Sequence, residues 1–402
     1  MEIRLNPYLP LSRHVQRGLL LLLLAVTLAL AFYPAAAMCR ATHMYVTNVG
    51  NNTVTRAKSD GTEGVSLGNP GGTLNEPSGI ALHLSAGKMY VVNEGNTVTL
   101  TNLDGTGAVS LGNLNHTLDQ PKGIALDVAA GKMYIINYGQ QWASQVVQAN
   151  LDGSGGKFLG FLNDTLNMST AIALDLTAGK MYVTNLGDNT VSQANLDGTG
   201  GVNLGNLNNT LAWPSGIALD VVAGKMYVTN FGNDTVSQAN LDGTGGMSLG
   251  NLNDTLHGPN GIAMDVAGGK MYVANYWSDT VSQADLAGTR GLSLGNLGGT
   301  LHGARGIALG LRSISYVASD GTCGGKTPCY ATLQDAIDNA VDWTTVKVAH
   351  EVFNEDLVLG ASTILTIQGG WDTTFTARTS TSTIKSMAIS NGTVITEYLV
   401  LQ

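Results

Sequence analysis

The sequence predicts an all-β protein organised around a six-bladed β-propeller. Two short motifs, "GIAL" and "MYVTN", support this prediction, because close variants of both recur between residues 44 and 309. The Met-Tyr pairs are spaced by 45, 44, 48, 45 and 45 residues and begin at Met44, Met89, Met133, Met181, Met226 and Met271. A fixed period of this length is typical of units that bury their apolar faces only by stacking on neighbouring units.

Each repeat predicts four short antiparallel strands. In residues 216–253, an apolar run, a turn of small residues and a second apolar run are followed by the alternating segment "TVSQANL" and a last short strand. Ala223-Gly224 and Asp242-Gly243 are residue pairs that suit tight hairpin turns. Because no helical pattern separates these strands, the repeat favours a propeller over a helical solenoid.

The two ends of the repeat array predict how the ring closes. The first repeat, at Met44, has no "GIAL" before it, whereas the last "GIAL", at residues 306–309, follows five complete units. Pairing of these two pieces would complete a sixth blade and hide the strand edges that an open array would expose. We therefore expect a propeller over residues 42–310, with residues 306–310 as the first strand of the closing blade.

The repeat also resembles known families. "GIALDVVAGKMYVTNFGNDTVSQANLDGTG" is similar to the low-density-lipoprotein-receptor class B repeat, which has Tyr-Trp-Thr-Asp where this chain has Tyr227-Val228-Thr229-Asn230. It likewise resembles the Tyr-Val-Thr-Asn repeats of bacterial and archaeal surface proteins and, more broadly, NHL-like repeats. The resemblance implies a six-bladed propeller, but a shared fold does not imply a shared ligand.

The first 37 residues predict a secretory signal peptide. Three arginines precede or begin an apolar run at residues 18–32, and Ala35-Ala36-Ala37 then offers the small residues that a signal peptidase recognises. We expect a protein that is secreted or held in the cell envelope, in a bacterium as the surface-protein resemblance implies. No stable transmembrane anchor is expected to remain after cleavage.

Two forms of membrane attachment are less favoured alternatives. A retained transmembrane anchor would need a longer apolar run than the one at residues 18–32. A lipid on Cys39 would need a small residue at the position that Met38 occupies.

Composition excludes one class of partner and indicates an oxidising compartment. The chain has 29 acidic and 20 basic residues, a formal charge of −9, and no run of basic residues after the signal peptide. Nucleic acid is therefore not an expected partner. Cys323 and Cys329 lie in one short loop, a spacing that predicts a disulfide in an exported protein.

The pattern changes after the last repeat. Residues 314–402 contain one amphipathic helix, which Thr332 and Asp335 are expected to cap, followed by short strands; its apolar face has Leu333, Ala336, Ile337, Ala340 and Val341. This segment resembles the start of a right-handed parallel β-helix of the pectin-lyase-like kind. Because the sequence ends in an apolar strand without a cap, we expect this second domain to be incomplete.

Aromatic residues and histidines predict a binding face. The turns between strands two and three share one face of a propeller with the loops between blades, because successive strands alternate in direction. The candidate ligand-binding residues on that face are Tyr138, Trp142, Trp213, Phe231, His257, Tyr276 and Trp277. They are typical of a mouth for sugar rings or an extended polypeptide. The alternative is that these side chains fill gaps between blades.

Four carboxylates at the far end of strand one form a weak candidate for a calcium site. They follow "IAL" or "IAM" in four repeats, at Asp127, Asp175, Asp220 and Asp265. Calcium favours clustered oxygen ligands. The stronger alternative is that each aspartate contacts the amides of its own turn or the lysine five residues later, Lys132, Lys180, Lys225 or Lys270.

The preferred interpretation is a monomeric, non-catalytic binding or scaffold protein that recognises a glycan or a protein ligand with one propeller face. No cofactor is expected, and no nucleophile, metalloprotease or phosphate-binding motif is present in the sequence. An asparagine recurs in every repeat, which indicates a structural role. The first alternative is a propeller enzyme of the lactonase or lyase kind with a channel metal. The second is a carbohydrate-active β-helix protein that lacks its C-terminal part.

Overall fold

The computed structural model describes residues 40–139, 144–312, 314–326, 328–340, 344–360, 364–390 and 393–402. Within them, six four-stranded antiparallel sheets form the blades of a propeller, which confirms the predicted fold class and blade number. The predicted signal peptide, residues 1–37, lies outside the described residues.

We number the blades around the ring from the one that contains both ends of the array. Blade 1 contains β1 (Arg40–Asn48), β2 (Thr53–Lys58) and β3 (Val65–Ser66). Blade 2 contains β4 (Pro77–His83), β5 (Lys88–Asn93), β6 (Thr97–Asn102) and β7 (Val109–Ser110). Blade 3 contains β8 (Pro121–Asp127), β9 (Lys132–Asn137), β10 (Gln145–Asn150) and β11 (Lys157–Gly160). Blade 4 contains β12 (Ser169–Asp175), β13 (Lys180–Asn185), β14 (Thr190–Asn195) and β15 (Val202–Asn203). Blade 5 contains β16 (Pro214–Asp220), β17 (Lys225–Asn230), β18 (Thr235–Asn240) and β19 (Met247–Ser248). Blade 6 contains β20 (Pro259–Asp265), β21 (Lys270–Asn275), β22 (Thr280–Asp285) and β23 (Leu292–Ser293). The innermost strand of blade 1 is β24 (Ala304–Arg312).

The two ends of the array close the ring. Strand β24 pairs antiparallel with β1, so that Leu309 lies opposite Met44 and Ile307 lies opposite Val46. The inner strands contact one another in cyclic order, and β24 contacts both β20 and β4. The closing strand is longer than the predicted residues 306–310, because Ala304 also pairs with β1 at one end and further pairs extend the ladder at the other. No strand edge at the axis is left open in the described ring.

The apolar core lies between neighbouring blades. Between blades 5 and 6, for example, the cluster contains Tyr227 and Val236 of one blade, the linking Leu252 and Leu256, and side chains of the next blade, Ile262, Met271, Val273 and Ala284. An equivalent cluster occurs at each of the other blade junctions. A single repeat therefore cannot bury its own apolar surface, as the fixed period indicated.

The recurring asparagine links strand two to the loop that enters its blade. The Oδ1 atom of Asn230 accepts a hydrogen bond from the Ala212 amide at 3.1 Å, and Nδ2 donates to Thr235 Oγ1 at 3.0 Å and Ser237 Oγ at 2.9 Å. Asn230 is fully buried, so these bonds satisfy groups that water cannot reach. The structural role expected for this residue is confirmed.

The threonine of "MYVTN" connects the inner strands of adjacent blades. Thr229 Oγ1 accepts from the Gly216 amide at 2.8 Å and donates to the Asn260 carbonyl oxygen at 2.5 Å. The approach is close, because a Cβ atom on Gly216 would lie 2.4 Å from that same oxygen. Glycine therefore lets the start of the inner strand lie near the axis of the ring in five of the six blades, and blade 4 has Ala171 at this position.

The Asp-Gly turns predict how stability depends on pH. The pKa of Asp242 is held below its ordinary value of 3.8, mainly by the hydrogen bond from the hydroxyl of Thr244 and also by the one from the amide of Thr244. The same bonding lowers the pKa of Asp60, Asp152 and Asp197. The pKa of each aspartate is lower in the folded protein than in the unfolded chain. The charged carboxylate therefore stabilises the fold above the unfolded pKa, and this stabilisation is lost as the pH falls through the folded pKa.

We therefore expect Tm to fall as the pH falls below about 4, since protonation removes the charged acceptors of these turns. A variant with asparagine at all four positions should show a shallower decline, measured by calorimetry from about pH 6 to pH 3. An equally steep decline in that variant would assign the acid sensitivity to other groups.

The strands that follow the propeller form two parallel sheets. One sheet contains β25 (Ile314–Val317), β26 (Cys329–Tyr330), β27 (Thr344–Ala349), β29 (Ile364–Trp371) and β31 (Thr393–Glu397). The other contains β28 (Val352–Leu359), β30 (Ser382–Ile389) and β32 (Leu399–Leu401). From β27 onwards, successive strands alternate between the two sheets, as in the coils of a parallel solenoid. Its assignment as the start of a right-handed β-helix domain stays a prediction.

One short helix, α1 (Leu333–Asp338), packs against this region, and its Leu333, Ala336 and Ile337 are buried. Thr332 Oγ1 accepts a hydrogen bond from the Asp335 amide at 3.1 Å, as the predicted cap requires. The sulfur atoms of Cys323 and Cys329 are bonded. Short 3-10 turns occur at Pro70–Gly72, Leu84–Ala86 and Cys323–Gly325. No helix in the described part of the chain is long and apolar enough to cross a membrane.

Candidate functional site

A cavity of about 410 Å³ opens at the axis of the propeller, where the six inner strands begin. Its lining comes from the residues around the Gly-Ile pair of each inner strand and from the turns after "MYVTN". Backbone hydrogen bonds hold these turns to the loops between blades, as from the Phe231 amide to the Trp213 carbonyl at 3.1 Å. This volume lies within the range of about 300–1,000 Å³ that is usual for small-molecule sites. We call this cavity the mouth.

The mouth is where the repeat loses its symmetry. Each inner strand contributes to the lining the residue that precedes its Gly-Ile or Ala-Ile pair, and the type of this residue differs in nearly every blade. In chain order these residues are Ser78, Lys122, Thr170, Ser215, Asn260 and Arg305. The backbone that carries them is nearly the same in all six blades. The scaffold is therefore repeated, and the chemistry of the mouth differs from blade to blade.

One side of the mouth is aromatic. The ring of Trp277 lies 4.9 Å from that of Tyr276 in an edge-to-face contact, and 5.7 Å from that of Phe231, measured between centroids. The rings of Phe231 and Tyr276 are 6.3 Å apart. These are favourable separations for aromatic pairs, so the three side chains support one another. Trp277 remains 60% exposed, which leaves ring surface for a ligand.

The other side of the mouth contains an ion triad. Glu94, from the turn after β5, forms an ion pair with Lys122 of blade 3 at 2.6 Å and a second ion pair with Arg305 of blade 1. Each cation also lies over an aromatic ring. Lys122 Nζ is 5.5 Å from the centroid of Tyr138, and the Arg305 guanidinium is 5.5 Å from that of Tyr276.

Burial changes the proton affinity of the triad. It lowers the pKa of the Lys122 ammonium to about 8, and the negative charge of Glu76 opposes this effect. Burial also lowers the pKa of the Arg305 guanidinium, again against the effect of Glu76. In both cases the charged form loses contact with water. An additional anion in the mouth would favour the charged form of both groups.

The structure places the predicted binding residues in two groups. Tyr138, Phe231, Tyr276 and Trp277 line the mouth. Trp213 and His257 lie in the loops between blades on the same face, outside the lining of the mouth, and their part in binding stays a prediction. Their backbone amides face inward, to Asn189 Oδ1 and Asn275 Oδ1, which places both residues at the rim. Trp142 lies outside the described residues.

Sequence reasoning missed the charged residues of the mouth. Lys122 and Arg305 precede a Gly-Ile pair that is nearly constant, and Glu94 occupies the position that is aromatic in three other repeats. The sequence signal for these charged residues is that the two positions vary among the repeats while the motifs beside them stay nearly constant. The aspartates that recur lie at the far end of strand one, outside the lining of the mouth.

Those aspartates do not form a metal site in the described residues. Each accepts a hydrogen bond from the amide three residues later, at 2.7–2.9 Å, in Asp127, Asp175, Asp220 and Asp265 alike. The recurring lysines contact strand three instead, as Lys225 Nζ contacts Asn240 Oδ1 at 2.6 Å. The expected contact with the turn amides is therefore confirmed for all four aspartates. Among the described residues, no three His, Cys, Asp or Glu side chains come together as metal ligands would.

Comparison with known proteins supports the fold. No family model matches the sequence, and no curated protein matches it. A chain of the nidogen/laminin complex superimposes with a TM-score of 0.56 and 17% identity, over 66% of this chain and 97% of that one. A luciferin-regenerating enzyme has a TM-score of 0.48 and 13% identity, over 58% and 80% of the two chains. At 17% identity the similarity to the nidogen/laminin chain is one of fold, and the fold of this chain is a six-bladed β-propeller.

Proposed function

We propose that this protein is a secreted or envelope-associated, non-catalytic binding protein that recognises a glycan or a protein ligand with the mouth of its propeller. The observation that carries the proposal is the contrast between scaffold and mouth. Six nearly identical blades surround a cavity whose lining differs in almost every blade. Loops that vary on a rigid repeated scaffold are typical of recognition surfaces.

The chemistry of the lining supports binding. Aromatic side chains that combine exposed area with few rotatable bonds, such as Trp277, contribute strongly to recognition. Glu94 is ion-paired to Lys122 and Arg305, which fits a role in holding the two cations in place. The similar propeller in the nidogen/laminin complex is an example of this fold within a protein assembly.

The disulfide supports the proposed location. Cys323 and Cys329 are bonded, and disulfides persist in oxidising compartments outside the cytoplasm. The acidic composition, with a charge of −9, fits a partner other than nucleic acid.

Replacing Phe231 and Trp277 by alanine should weaken binding at least about tenfold, because truncating aromatic anchors of a binding site costs more than about 1 kcal/mol each. The ligand is first identified on a glycan array and by pull-down of extracellular proteins, and its Kd is then measured for both proteins. Tm should change by only a few degrees, as expected for partly exposed residues.

Trp213→Ala is the matched control. This tryptophan is 56% exposed on the same face but lies outside the lining, so its loss should leave the Kd unchanged within about twofold. If Trp213→Ala abolishes binding while the variant at Phe231 and Trp277 retains it, the ligand binds elsewhere and the proposed function of the mouth is wrong.

A further inference from the structure

The charged side chains that line the mouth are cations, although the protein as a whole is acidic. Of the described residues that line it, two carry a formal charge, and both are cations, Lys122 and Arg305. The chain as a whole has nine more acidic than basic residues. Glu94 and Glu76 offset these charges in the free protein, but the two cations are the charged groups that a ligand would meet in the mouth.

The two cations are already arranged for one carboxylate. Glu94 contacts Lys122 through one oxygen and Arg305 through the other, and Glu94 itself lies beside the lining rather than within it. Its carboxylate thus occupies part of the space around both cations. A second carboxylate, supplied by a ligand from the mouth, would meet the same pair of donors from the other side.

One N–H group of Arg305 is unsatisfied. Its Nε atom, like Oε1 of Glu94, is buried and makes no hydrogen bond within the described residues, although buried polar groups are normally paired. The guanidinium is planar and offers its N–H groups as a fork, which suits the two oxygens of a carboxylate. The Tyr276 ring supports it at 5.5 Å and limits its movement.

The aromatic wall, which begins at Tyr276 beside Arg305, selects a ring. Phe231, Tyr276 and Trp277 form one aromatic cluster, and ring faces of this kind stack on the apolar face of a pyranose. Between the two walls, the inner strands present hydroxyl and amide side chains from Ser78, Thr170, Ser215 and Asn260. The hydroxyls of Thr170 and Ser215 donate to carbonyl oxygens of the next blade at 2.9 and 2.7 Å. As acceptors they can still pair with the hydroxyls of a sugar, which an acidic peptide side chain lacks.

We propose that the mouth binds an acidic carbohydrate, with the carboxylate of a sugar-acid residue held by Arg305 and Lys122 and its ring stacked on the aromatic wall. This proposal rests on the function proposed above and specifies the ligand class of that site. Glu94 acts as an internal counterion that neutralises the cations in the free protein and competes with the carboxylate of the ligand.

The test compares paired probes by isothermal titration calorimetry. The acidic probes are trisaccharides of galacturonic acid and of glucuronic acid. The neutral probes are the methyl esters of the same sugars, which keep the ring and its hydroxyls and lose the charge. At least one acid should bind about tenfold tighter than its ester, since charge-assisted hydrogen bonds exceed neutral ones. Added NaCl should weaken binding of the acid and leave the ester unaffected.

Variants separate the carboxylate contact from general stability. Arg305→Gln should weaken acid binding at least about tenfold and leave ester binding unchanged, whereas Arg305→Lys should lose less. Glu94→Gln should strengthen acid binding by about threefold or more, because a competing carboxylate is removed. A purely structural role for the triad would not produce this gain. Lys225→Gln, on the opposite face, is the control and should change neither affinity.

Each contrary outcome is distinct. Equal affinity for acid and ester, or an unchanged Kd in Arg305→Gln, overturns the carboxylate site, although glycan binding through Trp277 would still stand. Binding of hexaglutamate as tight as that of the sugar acids would point to an acidic polypeptide and overturn the carbohydrate. Absence of binding by all acidic trisaccharides overturns the proposal, whereas the alanine variants at Phe231 and Trp277 decide the proposed function independently.

Discussion

Ile307→Ala should lower the free energy of unfolding of the whole propeller by about 2–4 kcal/mol, the cost of truncating a buried isoleucine. Ile307 belongs to β24 and is 6% exposed. It packs in one cluster with Met44 and Val46 from the start of the array and with Tyr272 and Val281 of blade 6. If the ring is closed in this way, a change at the end of the array must destabilise the contact between its first and last blades.

The matched control is Ile217→Ala in blade 5, whose four strands follow one another in sequence. Ile217 is 7% exposed and occupies the same place in its blade. Urea unfolding followed by circular dichroism should give losses for the two variants within about 1 kcal/mol of each other. A loss below about 0.5 kcal/mol for Ile307→Ala alone, in the range of surface substitutions, would contradict closure by β24.

Closure could be predicted from the sequence because it follows from counting strands. The missing first strand at the Met44 repeat and the extra "GIAL" at residues 306–309 are complementary, and unpaired strand edges are costly. The asparagine column could be interpreted for the same reason, since a residue present in every blade serves a need of every blade. Both inferences depend on repetition, which one sequence displays directly.

The mouth could be predicted only in part. The aromatic residues Phe231, Tyr276 and Trp277 stood out because aromatic residues are scarce in this chain. The ion triad did not, since Glu94, Lys122 and Arg305 come from three blades and are brought together only by the ring. These three residues come together only because the inner strands approach one another closely near the axis, and this approach cannot be inferred from the sequence.

The recurring aspartates confirm the interpretation that the sequence favoured over a calcium site. Each accepts a hydrogen bond from an amide of its own turn, as Asp220 Oδ1 accepts from Ala223 at 2.9 Å. An Asx-type turn is a local motif, and a local partner is available before any ring forms. In a repeat protein, the constant polar residues therefore indicate structure, and the variable ones indicate function.

Blade spacing depends on a second glycine position, near the outer strand of each blade. A Cβ atom on Gly246 would lie 1.9 Å from the Leu207 carbonyl oxygen of the preceding loop. The equivalent distance is 1.7–1.9 Å at Gly64, Gly156, Gly201 and Gly291. Blade 2 has Ala108 at this position, and there the neighbouring loop contains Pro70-Gly71 in place of the usual Leu-Asn. Blade 2 therefore differs from the other blades both in the residue at this position and in the loop that faces it.

Gly246→Ala should therefore destabilise the propeller by about 2 kcal/mol, measured by urea unfolding. Alanine favours folding by about 0.4–1 kcal/mol, because it restricts the unfolded chain. Overpacking against a backbone oxygen costs about 1–3 kcal/mol or more and outweighs this gain, since the carbonyl cannot rotate away as a side chain would. The control, Ala108→Gly, removes a methyl group that the facing loop already accommodates. It should lower the free energy of unfolding by at most about 1 kcal/mol. If Gly246→Ala were neutral or stabilising, the blades would not be held at the spacing that the Leu207 contact requires.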